Sequence, residues 1–355
     1  MAKDYKQLLA DLMGIVAKEG GSDLHIGEGR NPVIRVSGFL IPLSQSGVLS
    51  QEDMNGLSDV LLKPDFKKRF IEKKEIDFSF SDGGDIRFRG NGFFQQGKMC
   101  IALRLIPHAI STLEELNLPS VLESFTRNKQ GFFLVVGPVG QGKSTTLAAM
   151  IEMINKERLE HIMTIEDPIE YQYESKKSVI DQREVGIDTA DFHTALISMF
   201  REDINVALIG EMRGLDTISA AVTAAETGHL IFSTLHTNDA SQTIERIIDS
   251  FPSDQQSQIR MQLAGSLTGI FSQRLIPRIS GGLIPAFELL INNSAVANLI
   301  RESRTHEINT VIETGSQYGM IDMNRCLADL VRAGEITLDN AYRYSPNSKV
   351  LEKLI

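Results

Sequence analysis

The chain has 355 residues, of which 42% are hydrophobic and 23% are charged. This balance is typical of soluble globular protein and excludes a long disordered tail. Asp and Glu number 46 against 36 Lys and Arg, which gives a net charge of -10 at pH 7. Because an acidic protein repels a phosphate backbone, nucleic acid is not expected as a partner.

The two cysteines, Cys100 and Cys326, have neither CxxC spacing nor a histidine close by in the sequence. We therefore expect free thiols in a reducing compartment. No apolar run approaches the roughly 18 residues that span a bilayer, and residues 1–20 alternate charge with leucine instead of forming a signal-peptide core. These features predict a cytoplasmic protein.

The length predicts two domains. Apolar residues recur at helical spacing over residues 4–18, which predicts an amphipathic first helix. Apolar and polar residues alternate over residues 76–88 and again over 99–105, which predicts a hairpin turning at residues 82–85 and a further strand. Residues 1–106 are therefore expected to form a small α+β domain. A linker is predicted next, at residues 107–118.

Residues 119–292 show short apolar runs that alternate with helical patterns, which predicts an α/β fold with a parallel sheet covered on both faces. The helical pattern that begins at Ile259 is predicted to continue through Leu263 and Leu267 to Ile270. Residues 293–355 are predicted to form several short helices. The predicted strands of this domain are 132–136, 162–165, 206–209 and 230–232.

Residues 137–144 read GPVGQGKS and fit the pattern GxxxxGK[ST] in full. They lie between a predicted strand and a helix-compatible run, where backbone N–H groups and the helix N-terminus can bind phosphates. Lys143 is predicted to reach the β- and γ-phosphates of ATP, and Ser144 to ligate Mg²⁺. The alternative is a glycine-rich turn with a chance lysine. The predicted ATP-binding residues are Gly137, Pro138, Val139, Gly140, Gln141, Gly142, Lys143, Ser144 and Thr145.

ATP hydrolysis also needs a carboxylate that positions water and holds the metal. Glu211 and Glu166 each follow a predicted strand, and ligands gather at the carboxyl ends of strands in open α/β sheets. Both are therefore predicted to act on the phosphates and the metal, although an acid at a strand end is commonly a solvated cap.

His229 and His236 flank another predicted strand, where a neutral imidazole could bind or sense the γ-phosphate. For His229, a buried ring bonded to backbone is an equally good interpretation. The other five histidines, at positions 25, 108, 161, 193 and 306, are interpreted as structural.

Arg87, Arg89 and Arg104 are predicted to lie on the uncovered side of the N-terminal sheet. Transition-state charge on a γ-phosphate calls for a guanidinium donor, so these arginines are candidate fingers. Ordinary surface charge is the alternative.

Five stretches of the chain resemble the secretion ATPase superfamily and, within it, the twitching-motility or pilus retraction ATPases. The residues of these stretches and their order along the chain make the resemblance specific. The resemblance extends over nearly the whole sequence. The stretches are Gly137 to Thr146 (GPVGQGKSTT), Thr164 to Tyr171 (TIEDPIEY), Ser175 to Val185 (SKKSVIDQREV), Leu208 to Arg213 (LIGEMR) and Thr227 to Asn238 (TGHLIFSTLHTN).

The resemblance implies a PAS-like domain followed by a RecA-like ATPase domain that binds ATP and Mg²⁺. It further implies a homohexamer at the inner face of the cytoplasmic membrane, which acts through a platform protein to depolymerise a pilus. A paralogous retraction ATPase is another implied partner. Assembly ATPases of the superfamily usually carry a longer N-terminal region and a four-cysteine zinc site, and this chain carries neither.

The chain departs from the family pattern at three places. It reads Asp203-Ile204-Asn205 where Asp-Pro-Asp is usual, it lacks an arginine near Gln96-Gly97, and it has Ala297 where an arginine is associated with retraction. An accessory retraction paralogue is therefore an alternative, as is a pilus assembly or type II secretion ATPase. A RecA-like nucleic-acid translocase and a nucleotide switch without turnover are alternatives of other classes.

Overall fold

The computed structural model describes residues 3–36, 38–81, 87–106, 109–212 and 214–355. The chain divides into two compact units, Met1–Ala109 with Glu170–Gln172, and Ile110–Ile169 with Tyr173–Ile355. The predicted limits of the linker and of the C-terminal segment stay predictions.

The first unit combines helices with one antiparallel sheet. A short 3-10 turn, Ser44–Ser46, precedes its second helix. Its elements are α1 Tyr5–Lys18, β1 Asp23–Gly27, β2 Val33–Val36, β3 Phe39–Pro42, α2 Gln51–Leu61, α3 Pro64–Lys73, β4 Glu75–Ser81, β5 Arg87–Gln95 and β6 Lys98–Ile106.

The predicted first helix is confirmed as α1, which begins after Asp4. The Asp4 carboxylate accepts hydrogen bonds from two backbone N–H groups of the first turn and caps the helix. Ser50 caps α2 through a capping box with Asp53. Both helices bury one apolar face in the core of this unit, with Leu12 and Leu57 at most 1% exposed.

The sheet of the first unit has the order β3-β2-β1-β6-β5-β4 within the described residues. The predicted pairing of residues 76–81 with the strand that starts at Arg87 is confirmed, with Ser81 opposite Arg87. The predicted turn at residues 82–85 lies outside the described residues. Phe88 is buried while its neighbours Arg87 and Arg89 are partly exposed, as the alternation predicts.

The second unit is a mixed α/β domain. Two 3-10 turns, Thr305–Glu307 and Ser316–Tyr318, interrupt its C-terminal helices. Its elements are α4 Leu122–Thr126, β7 Gly131–Val136, α5 Lys143–Glu157, β8 His161–Glu166, β9 Val179–Glu184, α6 Phe192–Met199, β10 Val206–Ile209, α7 Leu215–Glu226, β11 Leu230–Leu235, α8 Ala240–Asp249, α9 Gln256–Ser266, β12 Leu267–Pro277, β13 Leu283–Ile291, α10 Ser294–Arg301, α11 Ile308–Thr314, α12 Met323–Arg332, α13 Leu338–Tyr344 and α14 Ser348–Leu354.

The sheet of the second unit has the order β13-β12-β7-β11-β10-β8-β9 within the described residues. Its strands run parallel except β13, which is antiparallel to β12. Successive residues of β7 pack into different clusters, because Phe132 and Leu134 contact one core and Phe133 and Val135 the other. The sheet is therefore buried on both faces, as the apolar runs predict.

The prediction of one helix from Ile259 to Ile270 is wrong at its C-terminal end. The helix α9 ends at Ser266, and Leu267 and Ile270 belong to the strand β12. Apolar residues at spacings of three and four fit either structure when both faces of a strand are buried. Here β12 lies between β7 and β13, so ladder hydrogen bonds on both sides favour the strand.

The C-terminal residues form short helices, as predicted. Buried side chains of α12 and α13 pack with those of β12 and β13, among them Leu327, Ala341 and Ile276. Both cysteines are buried free thiols. Within the described residues, no helix is long and apolar enough to cross a membrane.

Candidate nucleotide site

The predicted phosphate loop lies between β7 and α5, as its motif requires. Gly137, Gly140 and Gly142 have φ angles of 145°, 77° and 77°. Residues with a side chain rarely adopt such backbone angles, so glycine allows the backbone to curl here at low cost. The loop follows a fully buried strand and leads directly into the N-terminus of α5, the positive end of the helix dipole, which favours phosphate binding.

Lys143 is folded into this loop. Its ammonium group donates hydrogen bonds to the carbonyl oxygens of Gly137 and Pro138, at 2.8 and 2.9 Å, and lies 3.1 Å from Nδ1 of His236. The side chain is 7% exposed. Burial lowers the pKa of Lys143 to about 8, although the nearby Glu211 carboxylate acts in the opposite direction.

His236 joins Lys143 to Glu211. Its second ring nitrogen, Nε2, lies 3.2 Å from Oε1 of Glu211. The two residues follow the adjacent strands β11 and β10, whose parallel register pairs Ile209 with Ser233. The predicted lysine, histidine and glutamate therefore converge at one end of the sheet.

Glu166 ends β8, on the other side of β10. It is 6% exposed, and its Oε1 accepts a hydrogen bond of 2.7 Å from the hydroxyl of Thr164. A Cβ atom at Gly210, just before Glu211, would lie 3.4 Å from Cα of Glu166, so the end of β8 and the segment that follows β10 lie in close contact.

A magnesium ion fits the oxygen donors at this end of the sheet. Ser144 is exposed in the first turn of α5, and the carboxylates of Glu166 and Glu211 follow neighbouring strands. Within the described part of the chain, no group of three or more His, Cys, Asp or Glu side chains could hold a metal by itself.

His229 is not part of this arrangement. It precedes β11, whereas His236 follows it, so a strand of about 20 Å separates the two histidines. The Nδ1 atom of His229 lies 3.0 Å from the carbonyl oxygen of Ala224, and its ring packs edge-on against Phe200. These contacts favour the backbone-bonded interpretation over a γ-phosphate contact within one subunit.

The three candidate arginines lie in the first unit. Arg89 and Arg104 are directly opposite each other on β5 and β6. Each has an acidic partner, since Arg89 pairs with Glu170 at 3.1 Å and Arg104 with Asp23 at 2.9 Å. Arg87 lies two residues before Arg89 on the same face of β5. These ion pairs favour neither the finger role nor the alternative.

The sequence patterns did not reveal two buried polar residues near the site. Gln273 on β12 contacts the phosphate loop, and Glu288 on β13 accepts a hydrogen bond of 2.9 Å from the backbone of Ala240 at the start of α8. Both lie on strands that the sequence interpretation did not recognise. A Gly-Gly pair at Gly281-Gly282, flanked by apolar runs, is the signal for a hairpin that could have revealed them.

The chain matches the family described as Type II/IV secretion system protein over residues 6–317. It is 43% identical over 333 residues to the type IV pilus retraction ATPase PilT of Pseudomonas aeruginosa, covering 94% of this chain and 96% of that protein. It is also 37% identical over 345 residues to the type IV pilus ATPase PilU of the same organism, covering 97% of this chain and 90% of that protein.

The crystal structure of the pilus retraction motor PilT with bound ADP superimposes with a TM-score of 0.91, at 42% identity and 98% coverage of both chains. Identity at this level over nearly the full length of both chains shows membership of the same family and not only a similar fold. The chain therefore belongs to the Type II/IV secretion system protein family and, within it, to the pilus retraction ATPases.

Proposed function

We propose that this chain is a hexameric motor that hydrolyses Mg-ATP and uses the energy to retract a type IV pilus. The observation that carries the proposal is the convergence of Lys143, His236 and Glu211 at the phosphate loop. A relative with 43% identity is a pilus retraction ATPase, and a relative with 42% identity was crystallised with ADP.

The residue roles follow from the chemistry of phosphoryl transfer, which depends on positioning and charge stabilisation. Lys143 exchanges the carbonyl oxygens of Gly137 and Pro138 for β- and γ-phosphate oxygens, which carry more negative charge and bind an ammonium better. Glu211 orients the attacking water, and His236 bonds to Glu211 and senses the γ-phosphate.

Mg²⁺, when bound, neutralises charge on the phosphates. Ser144 would supply a hydroxyl ligand, and Glu166 and Glu211 would bind the water molecules of the metal through their carboxylates. The Thr164 hydroxyl, bonded to Glu166, keeps that carboxylate in one orientation.

The arginines keep a proposed role as donors to the γ-phosphate. A finger at Arg87, Arg89 or Arg104 predicts that alanine at that position lowers kcat strongly while ATP still binds. A surface charge predicts no change in kcat.

The proposal places the protein in a homohexameric ring at the cytoplasmic face of the membrane, with the pilus platform protein as partner. Three measurements test it. Purified protein should hydrolyse ATP only with a divalent cation, and Lys143→Ala should abolish nucleotide binding. Deletion of the gene should give cells with excess pili that do not retract, whereas cells without pili would favour an assembly ATPase.

An accessory retraction ATPase is the second candidate, favoured by the 37% identity to PilU and by Ala297. Ala297 lies on α10 and is 9% exposed. The family motif has an arginine at this position, whereas this chain has a small buried side chain. An accessory protein predicts that pili still retract after deletion but with lower force. Complete loss of retraction excludes this candidate.

A further inference from the structure

One buried amide joins the phosphate loop to the neighbouring strand. Gln273 lies on β12 and is 3% exposed. Its Nε2 donates a hydrogen bond of 2.8 Å to the backbone carbonyl oxygen of Gln141 in the loop. Its Oε1 accepts one of 2.6 Å from the hydroxyl of Thr146 in the first turn of α5. A single side chain therefore bridges the loop and the helix that follows it.

The contact is reciprocal. The Oε1 atom of Gln141 accepts a hydrogen bond of 2.7 Å from the backbone N–H of Leu275. On the other side of the loop, a Cβ atom at Gly137 would lie 2.3 Å from the carbonyl oxygen of Gln273. The loop is thus held against β12 at its beginning, at Gln141 and, through Thr146, at its end.

The amide satisfies both partners of this bridge, because it has one donor and one acceptor in the required places. The carbonyl oxygen of Gln141 needs a donor, which fixes the orientation of the Gln273 amide, and the Thr146 hydroxyl then finds an acceptor. Glutamate has no donor when ionised, and methionine has neither group. Because the site is buried, either substitution leaves a polar group unsatisfied, which typically costs about 1–3 kcal/mol.

We infer that Gln273 is a positioning residue that holds the phosphate loop in the conformation that receives the nucleotide. A loop held in its binding conformation has less entropy to lose when phosphates bind. The inference rests on nucleotide binding at this loop. Because the bridge acts on the loop and not on the reacting atoms, its loss should raise KM and the Kd for ATP and ADP while kcat changes little.

The test uses the full chain with Gln273→Glu, Gln273→Met and Thr146→Val. Each variant should raise the Kd for ATP and for ADP about tenfold, which corresponds to about 1.4 kcal/mol, with kcat within about threefold of the unmodified protein. Thr268→Val is the matched control, since Thr268 also joins β12 to β7, through a hydrogen bond of 3.0 Å to the carbonyl of Phe132, at the end far from the loop.

A second readout needs no nucleotide. In protein without added nucleotide, amide hydrogen exchange over residues 137–146 should be faster in the Gln273 variants and unchanged in Thr268→Val. This readout separates the inference from the proposed function. A chain that hydrolyses no ATP contradicts the motor, whereas unchanged exchange in the loop contradicts the role of Gln273.

The pH dependence of Gln273→Glu adds a signature that a purely structural effect would lack. A protonated carboxyl has one donor and one acceptor, like the amide. The Kd of this variant relative to the unmodified protein should therefore fall as pH is lowered from 8 to 6, while that of Gln273→Met stays constant. Equal nucleotide affinity in all variants, or an equal loss in Thr268→Val, would overturn the inference.

Discussion

The ammonium group of Lys143 lies 3.1 Å from Nδ1 of His236. An ammonium group only donates, so Nδ1 accepts, and in a neutral ring the proton is then on Nε2, which faces Glu211 at 3.2 Å. Lys143 and Glu211, which we propose bind phosphate and orient water, therefore contact opposite sides of one imidazole. If Lys143 moves toward a phosphate, as proposed, the ring that contacts Glu211 loses its partner at Nδ1.

Replacing His236 by alanine should lower kcat about tenfold to a hundredfold, because Glu211 loses the group that orients it. The Kd for ATP should stay within about threefold, since Lys143 still reaches the phosphates. Steady-state hydrolysis and nucleotide titration measure the two quantities. His161→Ala, at the far end of β8, is the control and should leave kcat unchanged. An unaltered kcat in His236→Ala would remove the ring from the mechanism.

Glu211→Gln should preserve nucleotide binding and stop turnover, because the amide has the shape of the carboxylate but cannot accept a proton from water. Loss of a general base typically lowers kcat by about 10² to 10⁴. Single-turnover hydrolysis of radiolabelled ATP is sensitive enough to measure the remainder. The exposed Glu226→Gln, at the end of α7, serves as control. Normal turnover in Glu211→Gln would show that another group orients the water.

Alanine at two loop glycines should have different effects. At Gly137 the added Cβ would lie 2.3 Å from the backbone oxygen of Gln273, so the loop must move away from β12. At Gly140 no atom lies within 4 Å, and the cost is limited to the φ angle of 77°, roughly 1 kcal/mol. Gly137→Ala should therefore abolish detectable ATP binding, whereas Gly140→Ala should weaken it by about tenfold or less. Equal losses at both positions would contradict the steric argument.

Stability should depend on pH through Glu288. Burial, assisted by Asp239 and Asp322, raises the pKa of Glu288 to about 7 from an ordinary 4.5, although hydrogen bonds from Ala240 and Ser272 act in the opposite direction. The folded protein therefore holds a proton that the unfolded chain releases. This contribution is fully present below about pH 4.5 and is lost as pH rises through 7.

Glu288→Gln keeps the acceptor oxygen and removes the charge. The variant should match the unmodified protein near pH 5 and exceed its free energy of unfolding by roughly 1–3 kcal/mol at pH 8. Thermal unfolding at both pH values measures the difference. The exposed Glu352→Gln on α14 should show no such dependence. A variant that is less stable than the unmodified protein at pH 8 would contradict the sign of the effect.

The sequence predicted those parts of the structure whose signals are local. The motif at residues 137–144 predicted the loop, because its glycines permit the required backbone angles and its lysine contacts carbonyl groups of the same short segment. Glu166, Glu211 and His236 could be placed at one end of the sheet, because each follows an apolar strand and parallel strands bring their carboxyl ends together. His229 also adjoins a strand, but it precedes β11 whereas His236 follows it. The direction of β11 therefore places His229 at the end of the sheet away from the phosphate loop.

What the sequence did not reveal depends on pairing between distant segments. Gln273 contacts the loop from 132 residues further along the chain. The predicted helix reached only Ile270, so it covered the first residues of this strand, and no strand was predicted at Gln273. Apolar spacing does not distinguish the two structures in a segment buried on both faces. Only the neighbouring strands β7 and β13 determine that residues 267–277 are extended.

The hairpin of β12 and β13 pairs without interruption from Gly269 opposite Ile291 to Pro277 opposite Leu283. Side chains on a strand alternate between its two faces, so a single inserted or deleted residue before Gln273 would turn the amide to the opposite face. The same change at Gly281-Gly282, an exposed turn, would leave the register intact. Length variation in this part of the chain should therefore be confined to the tip of the hairpin.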